Sequence, residues 1–449
     1  MSIDPSPAAS SPSLPPGPRS SLLAIFDYLR DPIGCLLPYQ KKYGDTFTFP
    51  GSPSVVMVGD PVGIKALYTA DPDSLAPFSI ELADLLGPRA LFFLSGTEHR
   101  RARKLMMPPF HGARMRAYGD TIRRLTEERT AHLRKGDRAA MLPIAQDISL
   151  DVILQAIFGV TDAAEMMDFR ATLLDLTNGI SPLIALFKSL RREFGGVGPY
   201  ASFLRRKRRL NAMLDGLIAA RRAAGPRDDV LSLLVDARYD DGSAMSDDEI
   251  RDQLVLLVFA GHETTAIAIA WALYALHRPE NADALARLQG ELAQLGPALD
   301  AETLTKQPYL EAVCNETLRR FPLAPAPNVR KLLRPLDVGT HVLPAGTGVS
   351  AGIGVVHFRE ELYPEPMRFR PERFLGRTFS PFEFIPFGGG ARRCLGAALA
   401  FYEMKLVLGT MIRTLRLRLA SNREDRGKVR AANVGPATGI KMIVDERLS

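Results

Sequence analysis

The sequence is poor in cysteine. Cys35, Cys314 and Cys394 are the only three cysteines among 449 residues, so their number is odd, and they lie far apart. Such a set does not form the disulfide framework of a small secreted protein, and it lacks the spacing of a zinc finger. The cysteine content therefore predicts a protein of a reducing compartment.

Targeting segments and long apolar runs are also lacking. The N-terminus has no charged stretch followed by an apolar one, which a signal peptide would have. We find no run of about 18 apolar residues that could cross a bilayer. The sequence therefore predicts a cytoplasmic protein with no membrane anchor.

Acidic residues are slightly outnumbered by basic ones, which gives a formal charge of +7. A basic surface can bind nucleic acid, but the basic residues here, as in RRKRRL at 205–210, have no aromatic residues between them. This pattern favours solvated helix faces, and no nucleic acid is expected as a partner. Part of the excess charge could instead attract an acidic protein.

The hydrophobic pattern predicts one large domain. Residues 1–20 are rich in proline and serine and predict a flexible or extended arm. Residues 21–449 predict a single domain that is mainly α with a small β-rich region (α+β). We place that β-rich region at about 44–60, where a hairpin is indicated, and at 324–356.

One predicted helix, over residues 247–277, is strongly apolar but has a polar island, AGHETT, at 260–265. Gly261 lowers helix propensity by about 1 kcal/mol relative to alanine, and the Thr264 hydroxyl can bond to the preceding turn. The island predicts a local opening of the helix. The alternative is a kinked core helix in which Thr264 satisfies itself.

A glycine-rich loop, FGGGARRCLG at 387–396, comes directly before the predicted final helix, which starts at Leu395. Glycine allows positive φ and close backbone approach, and a helix N-terminus favours a thiolate. Cys394 could be a nucleophile, a metal ligand or a buried thiol. No histidine lies nearby to act as a base, whereas Arg392 suits a carboxylate, so this context favours a metal ligand.

The loop matches the pattern F-x-x-G-x-R-x-C-x-G at every fixed position, from Phe387 to Gly396. It thus resembles the haem-binding signature of the cytochrome P-450 family. The resemblance implies that Cys394 binds the iron of haem b, that Arg392 holds a haem propionate and that Phe387 packs beside the loop.

Further motifs are similar to those of the same family. Glu316 and Arg319 lie three residues apart, a spacing that alone stabilises a helix by only about 0.2–0.5 kcal/mol. With Arg373 in a later PERF segment, the resemblance implies a buried charged triad of architectural role. It also implies that Ala260 and Gly261 line a groove for dioxygen, that Glu263 and Thr264 supply protons, and that His99, Arg103 and Arg330 bind propionates.

The implied fold is that of cytochrome P-450, with a long central helix over the haem, and the implied activity is a haem-thiolate monooxygenase. Electrons would come from NAD(P)H through a separate ferredoxin or flavodoxin and its reductase. A haem-thiolate isomerase or peroxygenase, and a non-catalytic haem sensor, are the alternatives. We expect a small lipophilic substrate at 80–93, 180–187, Phe259, Ala260 and 323–327, and a docking face near Lys104, Arg114 and Arg393.

Overall fold

Helices make up most of the protein, as the sequence predicts. The computed structural model describes residues 14–51, 54–78, 83–110, 116–160, 162–178, 191–193, 195–225, 227, 229–296, 300–430 and 433–448. The α-helices of these ranges are α1 Ser21–Arg30, α2 Pro32–Tyr43, α3 Pro61–Thr69, α4 Ala83–Leu86, α5 Gly96–Met106, α6 Gly119–Thr130, α7 Met141–Phe158, α8 Ala163–Asn178, α9 Pro199–Ala224, α10 Val230–Asp236, α11 Asp247–Leu276, α12 Ala282–Ala293, α13 Ala301–Thr305, α14 Pro308–Arg320, α15 Ile353–Val356 and α16 Ala397–Thr414.

Strands from both ends of the chain join in small sheets. In chain order they are β1 Thr46–Phe49, β2 Val55–Val58, β3 Leu75–Pro77, β4 Arg138–Ala140, β5 Arg330–Leu332, β6 Leu336–Asp337, β7 Val342–Leu343, β8 Gly348–Ala351, β9 Leu415–Leu419, β10 Gly427–Arg430, β11 Asn433–Pro436 and β12 Lys441–Arg447.

The predicted hairpin is the start of the largest described sheet. Strands β1 and β2 pair antiparallel with Thr46 opposite Val58, and the sheet order is β1-β2-β8-β5-β3. Because β2 and β8 pair in parallel, the sheet joins the two chain segments that the sequence assigns to the β-rich region. Strands β9–β12 lie outside the predicted β-rich region, although the alternation LRLRL in β9 is the period-2 signal of a half-buried strand.

Part of the predicted N-terminal arm is held against β1. The backbone N–H of Thr48 donates to the Pro16 carbonyl at 3.0 Å, and its hydroxyl donates to the Pro15 carbonyl at 2.6 Å. A Cβ at Gly17 would meet the Thr48 carbonyl oxygen, so glycine is needed there. Residues 15 and 16 are therefore bound to β1, while residues 1–13 lie outside the described ranges.

Helix α11 begins with a capping box, in which Ser246 and Glu249 bond to each other's backbone N–H groups. The helix continues to Leu276 without a break, so the predicted local opening at the polar island is not observed. A Cβ at Gly261 would lie 2.7 Å from Cδ1 of Ile153 on α7, which packs against α11. A side chain at position 261 would therefore need the end of the Ile153 side chain to shift.

Both α7 and α11 are long and apolar enough to cross a membrane by length and composition, so the prediction that no such run exists is wrong. In this protein 72% of the apolar window of α7 and 56% of that of α11 are buried inside the fold. Core helices of globular proteins pass the same test of length and hydropathy. Their apolar surface is used in packing the two helices against their neighbours.

Glu403 on α16 is a carboxyl buried in this helical core. The Ser149 hydroxyl of α7 donates to it at 2.5 Å, and burial raises the pKa of Glu403 to about 7. At pH values between the ordinary pKa of glutamate and this raised pKa, the folded state binds more protons than the unfolded state. The contribution of protonated Glu403 to the free energy of unfolding is therefore fully present at low pH and is lost as pH rises through about 7.

We expect Glu403→Gln to remove this loss, because a neutral amide needs no proton to be buried. Relative to the parent, the variant should gain about 2–3 kcal/mol in free energy of unfolding on going from pH 5 to pH 8. Denaturant titrations at several pH values measure this. The exposed Glu302→Gln is the control and should follow the parent; equal pH slopes for Glu403→Gln and the parent would contradict the prediction.

Candidate functional site

Glycines fold the cysteine loop tightly against helix α3. Gly388 and Gly390 have φ values of +66° and +60°, which favour glycine, and a Cβ at Gly390 would lie 2.4 Å from the Tyr68 carbonyl oxygen. The backbone N–H of Cys394 donates to the Phe387 carbonyl at 2.9 Å and closes the loop. The Phe387 ring packs against the main hydrophobic cluster.

The Cys394 thiol is exposed at the start of α16, which has Gly396 as its N-cap residue. Surrounding protein atoms still remove much of its hydration, and this desolvation raises its pKa. A hydrogen bond from the Gly396 backbone and the charges of Arg103 and Arg393 act in the opposite direction and are weaker. A metal cation bound to the sulfur would favour the thiolate form further.

Four basic side chains converge beside this loop: His99 and Arg103 of α5, Arg330 of β5, and Arg392. His99 is 3% exposed, and burial together with Arg392, Arg103 and Arg330 lowers its pKa to about 3. Burial lowers the pKa of Arg330 to about 10, and burial with repulsion from Arg330 and Arg103 lowers that of Arg392 to about 9. The structure thus brings together residues of three segments that are far apart in the sequence.

Backbone carbonyls hold these arginines only partly. Arg392 donates to the carbonyls of Leu91 and Leu94, and Arg103 donates to the carbonyl of Arg393 at 2.7 Å. Nε of Arg330 is buried and has no hydrogen-bond partner. Within the described ranges no carboxylate pairs with Arg103, Arg330 or Arg392, so the cluster has the charge and the free donor to bind an anionic group.

The predicted charged triad is present, with Glu316 and Arg319 fully buried and Arg373 partly buried. Glu316 and Arg319 of α14 form two hydrogen bonds, Nε to Oε2 at 2.7 Å and Nη2 to Oε1 at 2.8 Å, and both side chains are 0% exposed. Nε of Arg373 lies 3.4 Å from Oε1 of Glu316, and the Arg370 backbone N–H donates to the same oxygen. Arg319 also donates to the His357 carbonyl, so the triad ties α14 to later segments.

In the polar island of α11 the Thr264 hydroxyl bonds within its own helix, as the alternative interpretation predicts. The Thr264 hydroxyl donates to the Ala260 carbonyl at 2.8 Å, and Thr265 bonds in the same way to Gly261 at 3.2 Å. Thr264 and Glu263 are half-buried, and the Glu263 carboxylate has no hydrogen-bond or ion-pair partner in the described part of the chain. Both side chains therefore keep capacity to bind an additional group.

One apolar cluster connects α11 to the cysteine loop. Phe259, which precedes the polar island, and Leu395, which follows Cys394, belong to this same cluster. Among the other predicted substrate contacts, Phe92 is 45% exposed and Phe93 is buried, while residues 80–82 and 180–187 lie outside the described ranges.

On the predicted docking face Arg393 is exposed, Lys104 pairs with Asp240 at 2.6 Å, and Arg114 is outside the described ranges.

Comparison with known proteins identifies this architecture. The family model described as Cytochrome P450 matches residues 14–437. The chain belongs to the cytochrome P450 family. It is 34% identical to the putative cytochrome P450 138 of Mycobacterium bovis over 91% of each chain, and 36% identical to the putative cytochrome P450 137 of Mycobacterium tuberculosis over 95% of this chain and 89% of that protein.

Solved structures agree with the sequence relatives. The structure of a retinoic-acid-bound cyanobacterial cytochrome P450, CYP120A1, superposes with a TM-score of 0.83 at 27% identity and covers 98% of this chain and 100% of that one. The haem domain of cytochrome P450DA gives a TM-score of 0.81 at 20% identity, over 98% and 99% of the two chains. The predicted family and fold are therefore confirmed, and the protein is a haem-dependent monooxygenase in general terms.

The residues present fit a haem group. A haem carries two propionates, and the cluster of His99, Arg103, Arg330 and Arg392 has both the positive charge and an unsatisfied buried donor, Nε of Arg330. The adjacent Cys394 is exposed, so its sulfur can reach an iron. The aromatic ring of Phe92 below Arg330, 5.9 Å from the guanidinium carbon, supplies an apolar surface at the same place.

Proposed function

We propose that this cytochrome P450 inserts one atom of dioxygen into a lipophilic small molecule, by hydroxylation or epoxidation. Fatty acids, terpenoids, steroids and polyketide-like molecules are the candidate substrates. The observation that carries the proposal is the exposed Cys394 beside a cluster of buried and half-buried basic side chains that has no carboxylate partner in the described structure. Haem b bound through Cys394 would supply the activation of dioxygen.

The chain's own residues hold the group and control protons. Arg330, Arg392, His99 and Arg103 would bind the two propionates, which would compensate the like charges of the cluster. The Thr264 oxygen can accept a hydrogen bond while its hydroxyl donates to the Ala260 carbonyl, and the hydroxyl must rotate to donate to another group. Glu263 is an acid without a protein partner in the described ranges and is free to take a proton from water and pass it on.

The proposed substrate class is supported by the apolar residues of the site. Phe259 is half-buried before the exposed Ala260, and the segment 323–327 is composed of leucine, alanine and proline. Such surfaces bind ligands by burying apolar area and use few polar contacts. The related CYP120A1 was solved with retinoic acid, a long apolar molecule with one carboxylate, which agrees with this class.

Electron supply and location complete the proposal. We infer that NAD(P)H is the electron source and that a ferredoxin or flavodoxin with its reductase delivers the electrons in the cytoplasm. Arg393 directly precedes Cys394 in the cysteine loop and is exposed. An acidic carrier bound to Arg393 would therefore lie close to the Cys394 sulfur, which is exposed as well.

The test is turnover by the purified protein with surrogate ferredoxin, its reductase and a panel of lipophilic compounds. Oxygenated product that depends on NADPH and dioxygen supports the proposal. Substrate-dependent NADPH consumption without any oxygenated product would contradict it and favour a sensor or an uncoupled enzyme. Product formed only with peroxide would instead show the peroxygenase alternative.

In the same assay, Thr264→Ala should keep the absorption spectrum and lose coupling. Proton transfer by a positioned group contributes about 10²–10⁴-fold, so we expect product formed per NADPH to fall at least about tenfold, with peroxide replacing product. Thr265→Ala is the matched control, because Thr265 makes the same bond to the preceding turn but is buried in the core. Equal coupling in Thr264→Ala and the parent would show that this hydroxyl does not manage protons.

A further inference from the structure

A buried histidine lies between the charged triad and the cysteine loop. His357 follows helix α15, is 0% exposed, and was not singled out by any sequence pattern. Its ring stacks on Phe384 at 5.4 Å and meets Tyr363 edge-on at 6.2 Å. These two aromatic contacts fix the orientation of the imidazole within the core.

The two ring nitrogens of His357 have different surroundings. Nε2 accepts a hydrogen bond from the backbone N–H of Ile385 at 3.0 Å, so the proton of the neutral ring is on Nδ1. Burial, with the nearby charge of Arg319, lowers the pKa of His357 to about 3, so the ring is neutral at physiological pH. Nδ1 is buried and has no hydrogen-bond partner.

Hydrogen bonds lead from this residue in both directions. On one side, Nη1 of Arg319 donates to the His357 carbonyl at 2.9 Å. On the other, the Gly388 N–H donates to the Ile385 carbonyl at 2.9 Å, and the Cys394 N–H donates to the Phe387 carbonyl at 2.9 Å. His357 therefore links the Glu316–Arg319 pair to the stretch of backbone from which the cysteine loop begins.

The unsatisfied Nδ1 indicates which property of the side chain matters. A leucine of similar size would avoid burying a donor without a partner, which is unfavourable. Leucine would, however, leave the Ile385 N–H without its acceptor. The contribution that only a nitrogen or oxygen can make at this position is thus the hydrogen bond to Ile385.

We propose that His357 is a positioning residue for the cysteine loop, and that its Nε2, by accepting the Ile385 N–H, fixes where Cys394 presents its sulfur. The inference deepens the proposed function and rests on Cys394 as the ligand of the haem iron. It assigns His357 no contact with substrate or cofactor. It predicts that removing the acceptor weakens haem ligation more than it weakens folding.

The experiment compares His357→Leu, which lacks an acceptor, with His357→Gln, whose side-chain amide oxygen can replace Nε2. Two quantities are measured on haem-loaded protein: the rate of haem transfer to excess apomyoglobin and the fraction of the reduced carbon monoxide complex that shows the red-shifted Soret band. For His357→Leu we expect transfer about tenfold faster and a smaller red-shifted fraction, from the loss of one buried hydrogen bond. His357→Gln should behave as the parent does.

Three outcomes would overturn the proposal. The first is a rate of haem transfer in His357→Leu equal to that of the parent, and the second is an equally faster transfer in both variants. The third is a lower free energy of unfolding in His357→Leu with no change in haem transfer or in the red-shifted fraction. If the leucine variant does not fold, amide hydrogen exchange at Ile385 in the parent and in His357→Gln decides, because rapid exchange would show that the bond to His357 is absent. A parent without a red-shifted band would refute the proposed function instead, so the two failures are distinguishable.

Discussion

Replacing Cys394 by alanine is expected to abolish the red-shifted Soret band of the reduced carbon monoxide complex and all oxygenation of substrate. Alanine offers no sulfur to the iron, and no other described cysteine is exposed. The basic cluster of His99, Arg103, Arg330 and Arg392 is unchanged, so the variant should still bind haem, with weaker affinity. The carbon monoxide difference spectrum and the haem content of the purified variant measure these two effects separately.

Cys35→Ala and Cys314→Ala are the matched controls, because both thiols are buried and neither lies in the glycine-rich loop. Both variants should keep the red-shifted band. Persistence of the band in Cys394→Ala, or its loss in Cys314→Ala with correctly folded protein, would mean that another residue holds the iron.

Glu316→Gln is expected to produce the largest loss of stability. The side chains of Glu316 and Arg319 are fully buried, and Arg373 lies on the same carboxylate, so glutamine leaves two guanidinium groups without a counter-charge. Breaking a buried ion pair by removing one partner costs about 3–5 kcal/mol in free energy of unfolding. Denaturant titration and haem content of the variant measure the effect, and we expect little haem-loaded protein.

The exposed pair of Glu302 and Lys306, 2.7 Å apart on the protein surface, provides the control. Solvent screens such pairs, so Glu302→Gln should leave the unfolding transition unchanged. If Glu316→Gln unfolded at the same denaturant concentration as the parent, the buried triad would not hold the fold together, and its proposed architectural role would be wrong.

Much of the local structure could be predicted from the sequence, because short-range signals determine it. The apolar run of α11 predicts the helix to within a residue, and the proline and glycine between β1 and β2 indicate their hairpin. The strands after α16 lie outside the predicted β-rich region, although the sequence of β9 alternates clearly between leucine and arginine.

Contacts across the fold explain the remaining differences. The sequence predicts helix opening at Gly261, whereas the helix is continuous there and packs close to Ile153 of α7, more than a hundred residues earlier. His357 has no sequence signal at all, since its partner Ile385 is a backbone group and any residue except proline offers the same donor.

By itself the sequence determined the family and the residue types of the site, because the glycine-rich cysteine loop and the Glu-x-x-Arg helix are local patterns whose spacing can be read directly. Only the tertiary structure decided that His99, Arg103, Arg330 and Arg392 converge beside Cys394 and that Thr264 bonds within its own helix. The physical reason is that burial and charge repulsion depend on distances between distant segments, which packing sets and which no single stretch of sequence contains.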